Sequence, residues 1–355
     1  MRDYYSKWSS ALVETGRDIV FSCSWPAYVG GDKALREFPW GYISRICNLW
    51  RLYDDINPSW GSLLDIMKHW RNTQDYLITA HGPSALNDPD MLEVGNPEVP
   101  ATQARAQMSV WSVLAAPLLM GHDVRKMDAQ SLAILSNDEV IAVNQDLLVR
   151  QGKFVRFLPS PSSSAGEATT LAVWRRELFN GDVAVAVVNE GEEKQSAEIS
   201  WSEDLSVDPK TPFRIRDLWG HLWVTAGARG GLKVSVDPHD AVFLRFVPDP
   251  LAPSASSVRG HSRGVFSSWA SELSGEGVSR TVLPSEEIGS RVDLAALAAR
   301  SDPAEIRWRE EGRARWQAAA KSGERKEERE TGDEEGTKRE ERERKEPSVP
   351  VVLEM

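Results

Sequence analysis

Cys47-Asn48-Leu49-Trp50-Arg51-Leu52-Tyr53-Asp54-Asp55-Ile56 reads as a short apolar strand that ends on an arginine and two carboxylates. Upstream, Asp18-Ile19-Val20-Phe21-Ser22 is a second apolar run, and it ends on Cys23-Ser24-Trp25-Pro26-Ala27-Tyr28. Residues 32–46 lie between the two with helical spacing, and Trp60–Tyr76 follows with apolar residues at Leu63, Leu64, Met67 and Trp70. Strands alternating with helices of this length predict βα units built on a parallel sheet.

The pattern continues on both sides. Met1 to Trp8 reads as part of an amphipathic helix, without the basic-then-apolar order of a secretion signal. A helix is predicted over Thr102–Ala116, stopped by Pro117, then a short strand over Leu118–Met120 and a last helix over Asp128–Leu135 with Asp128 as its cap. From Gln151 the helices stop. Thr170–Trp174, Val183–Asn189, Ala197–Trp201, Arg214–Asp217, Leu232–Val236 and Ala241–Val247 are strand-like runs separated by turns such as Asn180-Gly181-Asp182. They predict a small antiparallel sandwich, with Leu158–Gly166 as a Pro/Ser-rich loop inside it.

Beyond about Pro250 the composition shifts to Ser, Gly, Arg and Glu. Residues 324–346 hold 11 acidic and 8 basic residues among 23 and no aliphatic side chain. Such a segment buries too little surface to offset its ordering entropy, so disorder is expected. The resulting division is 1–150, 151–248 and 249–355. The whole chain has 355 residues, 42 basic and 53 acidic, for a net charge of −11, which argues against a general nucleic-acid binder. No apolar run approaches the roughly 18–20 residues of a membrane span. Two cysteines exclude a Cys-rich zinc fold, and the six histidines show no metal spacing.

In a barrel of βα units the reactive groups stand at the carboxyl ends of the strands. Arg51, Asp54 and Asp55 fall there, and the string Asn87-Asp88-Pro89-Asp90-Met91 follows a helix and a short connection, with aromatic rings nearby. Paired carboxylates are what glycoside hydrolysis requires, one to protonate the leaving oxygen and one to attack or direct water. By residue type alone the inference stays open, because an Asp after a strand is also a common helix cap.

Five ordered strings carry a more specific signal: Thr15 to Pro26, Cys47 to Ile56, Asn87 to Leu92, Ala115 to Met120, and Val140 to Asp146. On these the stretch from Trp8 to Val247 resembles glycoside hydrolase family 27, the α-galactosidases and α-N-acetylgalactosaminidases. The resemblance implies a partial (β/α)8 barrel, an antiparallel β-sandwich and a disordered charged tail. It implies a retaining hydrolase acting on terminal α-linked galactose or N-acetylgalactosamine, with Asp55 as general acid/base, Arg51 and Asp90 on the sugar, and Tyr28 and Met91 on the pocket wall. Ser24 and Ala27 match positions where small residues leave room for a 2-acetamido group. Cys23 and Cys47 match a family disulfide, and the secretory pathway, a lysosome or a vacuole is implied as the compartment.

As partners the resemblance implies a glycan or glycolipid and a second copy of the chain, with no nucleic acid, membrane span, cofactor or metal. The family nucleophile is an Asp in a Lys-x-Asp block on the preceding strand. No such block precedes Trp8, so the expectation is the carboxyl-terminal part of the enzyme, with the nucleophile-bearing half outside this chain. A non-catalytic galactose-binding or interaction protein on the same fold is the alternative.

Overall fold

Helix α1 (Arg2–Glu14) leads into strand β1 (Ile19–Cys23), and a 3-10 turn over Trp25–Tyr28 follows it in this computed structural model, which describes residues 1–159, 168–250 and 351–354. The single helix expected over residues 32–46 is two, α2 (Asp32–Arg36) and α3 (Trp40–Ile46). Pro39 stands between them, and a proline cannot donate the backbone hydrogen bond that would carry one helix through. Strand β2 (Leu49–Arg51), helix α4 (Trp60–Ala80), strand β3 (Leu86–Asp88) and helix α5 (Ala101–Leu114) complete the alternation.

β1, β2 and β3 are parallel neighbours, with Cys23 beside Trp50 and Arg51 beside Asp88. The expected strand at Leu118–Met120 is reduced to one parallel bridge from Leu92 to Met120. Two helices close this half, α6 (Ala129–Leu135) and α7 (Asp138–Asn144). The second was not expected; the Asn137 side chain caps it by accepting from the Glu139 and Val140 amides.

The second half is antiparallel. Strands β4 (Lys153–Pro159), β5 (Ala168–Glu177), β6 (Val183–Asn189), β7 (Gln195–Ser200), β8 (Phe213–Asp217), β9 (Leu222–Ala228), β10 (Gly231–Val236) and β11 (Ala241–Pro248) form two sheets. Six strands run in the order β4-β5-β6-β11-β8-β9, and β7 pairs with β10. β4 and β9 escaped the sequence reading. Each lies at an edge of the large sheet and is only partly buried, so its apolar alternation is blurred.

β6 shows why the halves hold together. All seven of its residues are buried. Val183, Val185 and Val187 face the sandwich core with Trp201, Phe213 and Phe246, while Ala184, Ala186 and Val188 belong to the core shared with α5. Small side chains on that face let the α5 helix approach the sheet closely. The aromatic trio packs edge-on, with centroids 5.5–6.0 Å apart.

The charged segment 324–346 and most of the Pro/Ser-rich loop lie outside the described residues. Residues 351–354 form a short strand, β12, which adds in parallel to β1 so that Ile19 faces Val351 and Ser22 faces Glu354. Among the described residues no helix is long and apolar enough to cross a membrane.

Candidate functional site

Arg51 closes β2 and is 8% exposed, so its guanidinium has to be satisfied by protein groups. Its Nη2 lies 2.7 Å from Asp90 Oδ2 and 3.1 Å from Asp55 Oδ1, and donates to the Asp54 carbonyl at 3.1 Å. One arginine therefore joins the loop after β2 to the loop after β3. The carboxylates differ sharply, since the Asp55 side chain is 96% exposed and that of Asp90 only 12%.

Asp90 is fixed from every side. Its Oδ2 accepts the Ile56 amide at 2.8 Å and its Oδ1 accepts the Met91 amide at 2.8 Å. Its own amide donates to Asp88 Oδ1, and its carbonyl accepts Trp111 Nε1 at 2.8 Å. The backbone there has φ +83°, a conformation that costs a side-chain-bearing residue about 1–3 kcal/mol and persists where the surroundings impose it. Met91, beside it, is 38% exposed.

Asp55 is not a helix cap. Ser59 caps α4, its side chain accepting the Ser62 amide. Ser24 precedes the 3-10 turn that holds Ala27 and Tyr28, directly after β1 and packed against β2. Tyr28 is 71% exposed, as a ring that meets a ligand can be. Beneath this turn, Cys23 and Cys47 form a disulfide with Cα atoms 6.1 Å apart, tying the end of β1 to the start of the β2 segment. The structure thus brings Arg51, Asp55 and Asp90 into direct contact, and carries Ser24, Ala27 and Tyr28 on the neighbouring strand end.

Sequence reasoning missed the supports. Trp111 holds the Asp90 carbonyl from α5. Gln107, on the same helix, accepts the Glu93 amide at 2.9 Å and donates to the Met91 carbonyl at 3.0 Å. Asn87 accepts from Trp50 Nε1 across the sheet. Glu93 is 6% exposed; burial raises its pKa, against a hydrogen bond from Asn96 that lowers it. The available signal was the set of polar residues Gln103, Gln107, Ser109 and Ser112 along a helix whose residues from Ala106 to Leu114 are all buried.

A family profile described as alpha galactosidase A matches residues 1–146, and one described as the alpha galactosidase C-terminal beta sandwich domain matches residues 168–246. The chain is similar to human alpha-N-acetylgalactosaminidase, at 50% identity over 176 residues, covering 50% of this chain and 40% of that protein. It is similar to alpha-galactosidase 3 of Arabidopsis thaliana, at 35% identity over 251 residues, covering 70% of this chain and 53% of the relative. The chain spans about half the length of these curated relatives. The fold is similar to that of alpha-galactosidase I from Mortierella vinacea, with a TM-score of 0.60 at 24% identity over 72% of this chain and 64% of that one.

Proposed function

The chain belongs to glycoside hydrolase family 27, the α-galactosidases and α-N-acetylgalactosaminidases, and from this we propose that it takes part in retaining hydrolysis of terminal α-linked galactose or N-acetylgalactosamine from glycoconjugates. The observation that carries the reading is the shared Arg51, which meets an exposed and a largely enclosed carboxylate at two adjacent strand ends. Asp55, open to solvent, acts as general acid/base on the glycosidic oxygen. Asp90, with both oxygens held by backbone amides, is poorly placed to attack a sugar and well placed to accept ring hydroxyls. Tyr28 and Met91 line the wall, and Ser24 with Ala27 leaves space for an acetamide.

Retention requires a second carboxyl group about 5 Å from the first, acting as nucleophile. We assign that group to no described residue, and we take the nucleophile-bearing half to lie outside this chain. Residues 1–150 then supply part of the barrel, 151–248 the sandwich that braces it and 249–355 the tail. The disulfide supports an oxidising compartment such as the secretory pathway, a lysosome or a vacuole.

Turnover of 4-nitrophenyl α-galactoside and the matching α-N-acetylgalactosaminide tests this reading, in the protein completed by a nucleophile-bearing segment. Asp55→Asn is expected to lower turnover of a natural disaccharide about 10²–10⁴-fold. Azide should restore turnover of the aryl glycosides, since it attacks the glycosyl-enzyme without base assistance. Unchanged activity in Asp55→Asn overturns the assignment. Ser24→Glu with Ala27→Leu is expected to remove the N-acetylgalactosaminide activity and spare the galactoside. The exposure of Asp55 favours one second reading, galactose binding without turnover. Calorimetry showing galactose uptake with no hydrolysis in the completed protein would select it.

A further inference from the structure

Below the candidate site lies a cluster of buried side chains, Arg176, Gln151, His81 and Trp174, whose unused hydrogen-bonding atoms are donors. The Ser112 hydroxyl, on the residue whose carbonyl Arg176 holds, is the one unpartnered group there, among the described residues, that can also accept. Arg176 on β5 is 1% exposed. Its Nη1 donates to the carbonyls of Ser112, Val143 and Asn144 at 2.9, 2.6 and 2.9 Å. The last two close α7, where the terminal carbonyls carry the negative end of the helix dipole. Its Nε and Nη2 have no partner, and among the described residues no carboxylate lies within ion-pair distance; Asp146 acts on it from farther away.

Three neighbours share this excess. Gln151 is 3% exposed, and its Oε1 accepts Asn87 Nδ2 at 2.6 Å, which leaves its Nε2 pointing elsewhere with no acceptor. Asn87 is itself oriented, because its Oδ1 takes Trp50 Nε1 and its Nδ2 also donates to the Leu77 carbonyl. His81 Nδ1 accepts the Asn87 amide at 3.2 Å, so the proton of the neutral ring sits on Nε2, buried and without an acceptor. Trp174 lies two residues before Arg176, on the same face of β5, and its Nε1 has none either.

Asn87 links His81 to Gln151, and the charge of Arg176 acts on His81. The backbone at Gly152, next to Gln151, approaches the Arg175 carbonyl so closely that no side chain fits there. These groups are thus linked across β3, the loop before it, the segment leading into β4, and β5.

An isolated water answers such a lining poorly. It must donate two hydrogen bonds as well as accept, and donors offer its hydrogens nothing. A halide accepts from all directions and offsets the guanidinium charge in a site of low dielectric. We propose that Arg176, His81, Gln151 and Trp174 bind a small monovalent anion, chloride in solution, in a closed internal site joining the parallel half to the β-sandwich.

Melting at constant ionic strength, with sodium chloride replaced stepwise by sodium gluconate, tests the proposal. Binding only to the folded state makes Tm rise with chloride, by about 5 °C at a hundredfold excess over Kd. Arg176→Met removes the charge but can fail to fold. Gln151→Glu is the informative variant, because it places a carboxylate oxygen where the unused donor stood. It should fold, show no chloride dependence, and melt in gluconate near the wild-type value in chloride. A crystal soaked in sodium bromide should give an anomalous peak beside Arg176. A Tm indifferent to the anion, a full chloride response retained in Gln151→Glu, or a site holding water alone would each overturn the assignment.

Discussion

At Asp90 a single residue carries both geometry and charge. Its φ of +83° is a conformation that glycine adopts freely, yet its carboxylate holds Ile56, Met91 and Arg51 in place. Asp90→Ala and Asp90→Gly both lose these contacts, so both should abolish the galactose binding proposed above. They should differ in stability. Glycine relieves the backbone and alanine does not, so the alanine variant should be less stable by about 1 kcal/mol, read from urea melts of the two proteins. The sequence showed which residue types stand at this point, but not this division of labour. Asp55 and Asp90 look alike as letters, and only the fold leaves one in water and encloses the other.

Among the elements, α5 is the pivot. It supports the candidate site through Gln107 and Trp111, and it packs on β6, whose alanines share its core. It ends at Ala115, which sits in the left-handed region at φ +54° and ψ +34° with its amide bonded back to the Trp111 and Ser112 carbonyls. Glycine is the residue that such a helix end favours. Ala115→Gly should therefore raise stability by about 0.5–1 kcal/mol, provided the new residue keeps the cap, and a thermal melt reads the gain. Most elements were legible from periodicity because each buries one face. The helix α7, the short strand β3 and the edge strands β4 and β9 were not, since a three-residue strand, a seven-residue helix and a half-exposed edge leave too few positions to show a period.

Across the molecule, charged side chains tie the parallel half to the sandwich. Arg71 meets Glu190, Arg105 pairs with Asp240, and Arg216 grips Glu139 with two bonds of 2.8 Å while His221 reaches the same carboxylate at 2.7 Å. Burial alone would raise the Glu139 pKa, but the hydrogen bonds from Arg216 and His221 outweigh it and lower it to about 2. The same bond raises that of His221, against burial. Glu139 thus contributes stability that is complete above its unfolded value near 4.5 and is lost as pH falls toward 2. His221 contributes below its unfolded value of 6.5, a contribution lost as pH rises through its raised folded value. Both are fully present between about pH 4.5 and 6.5. The difference in Tm between the wild type and Glu139→Gln should be largest in that window and shrink on either side of it. A pH series of melts for the two proteins tests this, and a difference independent of pH would sink it.

The order of strands and helices, the change from parallel to antiparallel architecture and the strings that mark the family all follow from local pattern, because hydrophobic period and strand-end chemistry are properties of neighbours in the chain. The ion pair of Arg51 with Asp90, the fixing of Asp90 by the Ile56 amide and the bond from Arg176 to the Ser112 carbonyl join residues 39, 34 and 64 positions apart. Burial and charge compensation at such separations are settled only when the elements pack.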